Sequence, residues 1–168
     1  MKKLILGFLV VVAPLVSFGQ SKDVVDIAIG SADHTTLVAA VKAADLVGTL
    51  KGKGPFTVFA PTNAAFDRLP AGTVATLLKP ENKATLAKIL TYHVVSGDLN
   101  AAAVIAAVKA GKGKAVVTTV SGGKLTVTLH KGKVKITDEK GGSAHVTTAD
   151  LKGSNGVVHV IDRVMMPK

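Results

Sequence analysis

The chain has 168 residues, 48% of them hydrophobic, which is enough for one domain built on one core. It carries no cysteine, which excludes disulfides, thiolate metal sites and a lipid-attachment cysteine, so stability has to come from packing. The formal charge of +10 points to anionic surroundings as partners.

Lys2 and Lys3 precede an apolar stretch from Leu4 to Val16, and Ser17 and Gly19 supply the small residues for signal-peptidase cleavage before Gln20. Pro14, Ser17 and Gly19 interrupt that stretch short of the roughly 20 apolar residues a membrane span needs. Residues 1–19 are therefore expected to be a signal peptide and residues 20–168 one exported domain, without a transmembrane span. The signal peptide, with the absence of an Asn-x-Ser/Thr sequon, suggests a periplasmic or secreted bacterial protein.

Asp23 to Gly30 and Thr36 to Gly48 read as helices, the second placing Leu37, Ala40, Val41, Ala44 and Val47 on one face. After the KGKGP turn, the run FTVFAPTNAAF from Phe56 to Phe66 alternates as a strand, with Phe56, Val58 and Ala60 on one side and Thr57 and Phe59 on the other. Pro61 then presets a turn, and Thr62 or Asn63 can accept a hydrogen bond from an orphan N–H of the helix that carries Phe66. Thr73 to Leu78 and Pro80 to Leu90 predict short helices, Tyr92 to Val95 a strand, and alanine-rich Ala101 to Ala110 a helix ended by Gly111.

From Lys114 onward the period is two. A two-residue turn at Lys131 and Gly132 pairs Leu129 with Val134 and Val127 with Ile136, leaving Thr128, His130, Lys133 and Lys135 on the other face. A strand near Ala144 to Thr148 and a last strand from Val157 to Val164, entered through the Asn155-Gly156 turn, complete the chain. Helices in the first half and meandering strands in the second predict an α+β class rather than alternating βαβ units.

The run Phe56 to Phe66, followed in order by TYHVVSGDL from Thr91 to Leu99 and SNGVVHVIDRVMMP from Ser154 to Pro167, resembles the fasciclin domain family over Val24 to Pro167. The resemblance implies a wedge of two β-sheets with helices packed along the edge, with the first and last strands meeting in the core. It gives Phe56, Phe59, Pro61, Thr62, Asn63, Phe66, His159 and Asp162 structural roles, and hydrogen-bonding roles inside the fold to the motif histidines His93 and His159. It also implies adhesion at cell surfaces or in matrix. In animals some members bind integrins through a Tyr-His segment and an Asp-Ile pair before the final strand, which matches Tyr92-His93 and, with leucine for isoleucine, Asp150-Leu151.

The five histidines show no His-Glu-x-x-His and no i,i+4 pair, so no metal site is expected. No Gly-x-Ser-x-Gly elbow is present, the glycine pairs at 52/54 and 111/113 lack the third glycine of a phosphate cradle, and two glutamates with nine dispersed aspartates leave few carboxylate pairs. A non-enzymatic protein without a cofactor is the expectation.

Removing Lys2 and Lys3 leaves 19 basic against 11 acidic residues, a net charge of +8. Much of that excess lies in Lys109, Lys112, Lys114, Lys124, Lys131, Lys133 and Lys135, with no acidic residue between Leu99 and Thr137. Such a patch suits electrostatic capture of anionic polysaccharide, a cell-surface protein or membrane headgroups at the periphery. Specific nucleic-acid readout is disfavoured, because Phe56, Phe59, Phe66 and Tyr92 all lie outside the basic region and lysine is a point charge rather than a bidentate fork. The alternative, implied by carotenoid-binding fasciclin-like proteins, is a carrier whose apolar groove would be lined by Ala101 to Ala110 and Met165-Met166.

Overall fold

A computed structural model describes residues 21–168, so the expected signal peptide lies outside the described residues. The Asp23 carboxylate accepts the N–H groups of Val25 and Asp26 at 2.9 and 2.8 Å, and Asp26 reaches back to the Asp23 N–H. This reciprocal box starts α1, Val24–Ile29. After a 3₁₀ turn at Ala32–His34 comes α2, Thr35–Ala43.

The single helix expected to Gly48 is in fact two. Asp45 adopts a left-handed φ of 59°, the Leu46 N–H reaches back to the Val41 carbonyl and the Asp45 N–H to that of Lys42. That Schellman turn ends α2 before α3, Val47–Leu50, begins. Leu37, Ala40, Val41 and Ala44 are nonetheless buried on one side.

Strand β1, Phe56–Pro61, runs into α4, Asn63–Asp67, with the Thr62 hydroxyl accepting the Ala65 N–H at 3.3 Å. Helix α5 spans Thr73–Leu77; a 3₁₀ turn at Pro80–Asn82 precedes α6, Lys83–Tyr92, and then β2, Val94–Ser96. Tyr92 and His93 were expected in a strand, but they end the helix, because the chain stays helical through Tyr92 and His93 caps it with its N–H on the Leu90 carbonyl. Helix α7, Ala101–Ala110, is capped by Asn100, whose side chain accepts the Ala103 N–H.

The remaining strands are β3, Lys114–Thr118; β4, Lys124–His130; β5, Lys133–Thr137; β6, Ser143–Gly153; and β7, Gly156–Ile161. Their order is β2-β1-β7-β6-β5-β4-β3. First and last strands do meet, in parallel, from Phe56 opposite Gly156 to Pro61 opposite Ile161. They approach so closely that a Cβ on Gly156 would sit 2.0 Å from the Phe56 carbonyl oxygen.

Strand β6 pairs with β5 through Ser143 to His145 and with β7 from Val146 onward, across two register shifts, so it bends and belongs to both wings of the wedge. A bridge from Val95 to Thr119 links the outer ends of the two wings. The last strand stops at Ile161 rather than Val164, because the Asp162 side chain accepts the His145 N–H at 2.7 Å and the tail turns away.

The alternation of β1 divides the interior. Phe56, Val58 and Ala60 pack on the helical side with Val24, Leu37, Leu86 and Leu90, while Phe59 packs inside the wedge with Tyr92, Leu125, Ile136 and Ile161. Under α7, Val104 and Val108 rest on Val127.

Candidate functional site

Register decides which lysines share a surface. On β4 and β5 the odd or even alternation sends Leu125, Val127 and Ile136 inward, fully buried, and leaves Lys124, Thr126, Thr128, Lys133 and Lys135 outward. Across the strands this gives one row of Lys114, Thr128, Lys135 and His145, and a second of Val116, Thr126, Thr137 and Ser143. The Thr137 and Ser143 hydroxyls lie 3.4 Å apart, and the His130 and His145 rings, flanking β5, have centroids 6.5 Å apart. The hairpin register at Lys131-Gly132 is the expected one, with Leu129 opposite Val134 and Val127 opposite Ile136.

The face therefore carries Lys114, Lys124, Lys133 and Lys135 among hydroxyls, with Lys131 at the adjoining hairpin tip. Lys109 and Lys112 do not belong to it. They sit at the end of α7 and in the turn after it, and α7 packs on the opposite, apolar side of β3 and β4. Among the described residues none of these seven lysines makes an ion pair. Strands stand about 4.8 Å apart, so Lys114 and Lys135, two strands apart in one row, are spaced by about 10 Å at their backbones. Exposed ammonium groups so arranged attract polyanions and bind no single small ion tightly.

The residues expected to meet a receptor lie elsewhere. Tyr92 is fully buried, its hydroxyl donating to the Lys124 carbonyl at 2.9 Å and accepting the Glu139 N–H at 3.1 Å, and burial pushes its phenol pKa up. Gly123 lies against the ring, where a Cβ would come within 2.5 Å of it. His93 is buried too: Nδ1 lies 2.8 Å from the Ile89 carbonyl, and Nε2 accepts the Met165 N–H at 3.0 Å. That acceptor role fixes the proton on Nδ1, which donates, and desolvation pulls the imidazole pKa down from 6.5 to about 4.

Asp150 is exposed but occupied. It holds a left-handed φ of 59° at the bend of β6, and its carboxylate accepts the Ala101 N–H at 2.7 Å, tying the start of α7 to the sheet. Leu151 pairs with Val158 and packs against the helical core. Tyr92 and His93 are thus buried while Leu151 is half-buried and Asp150 exposed, and the hydrogen bonds these side chains make lie within the fold.

His159 sits against Phe59, ring centroids 5.7 Å apart, with Nε2 donating to the Leu99 carbonyl at 2.7 Å and Nδ1 accepting the Asp150 N–H at 3.3 Å. Asn63 accepts the Thr36 N–H and donates to the Ala32 carbonyl, so it caps α2 rather than its own helix. Phe66 is buried in the helical core, and Asp162 receives Arg68 on its backbone carbonyl at 3.0 Å.

Three hubs, buried Thr57 and Asp138 and half-buried Asn155, were not singled out from the sequence. The Thr57 hydroxyl donates to the Gly97 carbonyl and accepts the Leu99 N–H. Asp138 accepts the N–H groups of Lys140, Gly142 and Met166. Asn155 accepts the Val24 N–H and donates to the carbonyls of Leu50 and Gly52. Only Asn155 left a signal, its Asn-Gly turn.

An apolar crevice of about 40 Å³ lies between α1, α2 and β1, lined by Val25, Leu37, Val41, Val58 and Leu90. Ligand pockets run to roughly 300–1,000 Å³. The segments expected to line a groove do not border this crevice; Ala101 and Val104 border a second one of about 10 Å³. Among the described residues no group of three or more His, Cys, Asp or Glu could hold a metal ion. No helix among them is long and apolar enough to cross a membrane.

Residues 32–167 match the family model described as Fasciclin domain. The chain is 53% identical over 145 residues to protein sll1483 of Synechocystis sp., covering 86% of this chain and 73% of that protein. It is 37% identical over 155 residues to the immunogenic protein MPB70 of Mycobacterium bovis, covering 89% and 72%. Its fold is similar to that of a FAS1 domain pair from the insect cell adhesion molecule fasciclin I, with a TM-score of 0.62 at 22% identity over 77% of this chain and 43% of that one.

Proposed function

The chain belongs to the fasciclin domain family, and from that premise we propose that it is a non-enzymatic adhesion or surface-interaction module that attaches to anionic polysaccharide or acidic cell-surface protein. The observation that carries this reading is the outward face of β3 to β5, where Lys114, Lys124, Lys133 and Lys135 stand in register among threonines without an ion-pair partner among the described residues. Fasciclin I, whose fold it shares, is a cell adhesion molecule. The charge of the full sequence, +10, favours encounter with anionic surfaces, and export to the periplasm or the exterior would bring it to them.

The motif histidines support a non-enzymatic reading because both nitrogens of His93 and of His159 are engaged with the backbone, leaving neither ring free to move a proton to a substrate. Attachment of the triple variant K114Q/K133Q/K135Q to immobilised anionic polysaccharide tests the proposal. It should bind several-fold more weakly than the parent with an unchanged melting temperature, since exposed charges contribute little to folding. Equal attachment would remove the face from the account.

A further inference from the structure

The basic face leaves unexplained a cleft of about 640 Å³ and mixed polarity where KGKGP, Lys51 to Pro55, meets KGSNG, Lys152 to Gly156, with Asp98 on its rim. Both segments read as simple turns in sequence; parallel pairing of β1 with β7 brings them together. The basic face begins at His145 on the same strand β6, eight residues or up to about 25 Å of extended chain away.

The walls of the cleft are fixed. Asn155 is anchored to Val24, Leu50 and Gly52, and a Cβ on Gly54 would fall 1.8 Å from the Asn155 carbonyl oxygen, so the two loops are in backbone contact. Asp98 lies between Gly97 and Leu99, which are both held by the buried Thr57 hydroxyl. Cleft walls set in this way lose little freedom when a ligand arrives.

Charge within the cleft is unequal. Lys51 is committed to Asp23 and Asp26 at 2.9 and 2.7 Å, whereas Lys53, Lys152 and Asp98 make no ion pair among the described residues. Lys53 and Lys152 favour an anionic group on a ligand, while Asp98 and the second carboxylate beside Lys51 bring the local total to zero, which favours a singly charged ligand over a multiply charged one. The Asp98 carboxylate also needs donors, which the several hydroxyl groups of a sugar supply. No aromatic side chain lines the cleft to stack a nucleobase, and its wholly apolar side chains are those of Pro55 and Val157.

We propose that this cleft binds one carboxylated sugar unit, its carboxylate at Lys53 and Lys152 and its hydroxyls at Asp98. The inference rests on the reading of acidic polysaccharide as partner and adds to it a site that recognises the individual sugar. The same chemistry is offered by a free sugar acid and by the end of an acidic glycan.

Isothermal titration calorimetry of the full domain with galacturonate, oligogalacturonate, galactose and inorganic phosphate tests it. Galacturonate should bind at least about tenfold more tightly than galactose or phosphate, and K53Q/K152Q should lose at least about tenfold in affinity. D98N should weaken galacturonate while leaving phosphate unchanged or tighter, and K114Q/K133Q/K135Q should leave galacturonate unaffected. Binding of the monomer assigns a free sugar acid, and binding of the oligomer alone, lost in K53Q/K152Q, assigns a chain end. Absence of heat with both uronates, oligomer binding that survives K53Q/K152Q, or equal affinity for phosphate with no effect of D98N, overturns the site. If K114Q/K133Q/K135Q still weakens surface attachment in that case, the basic face stands and the cleft alone falls.

Discussion

His93 spends both ring nitrogens inside the fold, joining the end of α6 to the C-terminal tail through Ile89 and Met165. Its unfolded pKa is near 6.5 and its folded pKa about 4, so between those values the unfolded chain binds more protons and stability falls with falling pH. The contribution is complete above 6.5 and is lost by about pH 4, with roughly 3 kcal/mol at stake across the window. His34, buried with an unpartnered Nε2, shifts down as well and acts in the same direction. Urea midpoints should therefore drop below pH 6.5 while His93 ring resonances stay neutral to near pH 4; a ring that titrates near 6.5 in the folded protein would contradict the account.

Phe59, buried and stacked on His159, is a second residue whose loss is predictable: Phe59→Ala should cost about 3–5 kcal/mol in chemical denaturation. Both positions sit in apolar runs, which is why burial could be read from the sequence. Their partners could not, since Met165 lies 72 residues from His93 and His159 lies 100 from Phe59.

Among the elements, those whose apolar period is uninterrupted were legible: β1, α7 and the β4–β5 hairpin, down to the pairing of Val127 with Ile136. The break between α2 and α3 was not, because Ala44 and Val47 continue the helical stripe through it and an aspartate, not a glycine, takes the left-handed position at Asp45. Glycine relieves that conformation, so Asp45→Gly should stabilise by about 0.5–1 kcal/mol, seen as a higher urea midpoint. Asp45 also lies 3.6 Å from Lys83, an exposed pair worth little.

Where β1 meets β7 the opposite holds. Gly156→Ala would press its methyl against backbone that has no side chain to rotate away, and a loss of about 1–3 kcal/mol or more is expected in the same assay. Tyr92-His93 and Asp150-Leu151 show a different limit of sequence reading. A motif names residues, but whether they point outward depends on a helix end under Gly123 and a bulge in β6, neither of which leaves a periodic signal.

At the scale of the whole molecule, the wedge separates an interior joined by histidine, threonine and asparagine from an exterior whose charge is sorted by strand register. Seven lysines between residues 109 and 135 became four on one face, one at its tip and two at the C-terminal end of α7, because alternation in β3 to β5 and the packing of α7 assign opposite sides. The strand alternation could be read from the sequence, whereas the side taken by α7 could not. The central claim is that the molecule meets its partner on that exterior and not in an apolar cavity. Attachment of the fasciclin domain to immobilised anionic polysaccharide, measured across a salt series, tests this most directly. The account predicts affinity that falls steeply with ionic strength, with a shallower slope for K114Q/K133Q/K135Q. Salt-insensitive binding, or stoichiometric uptake of a carotenoid with no dependence on those lysines, would contradict it.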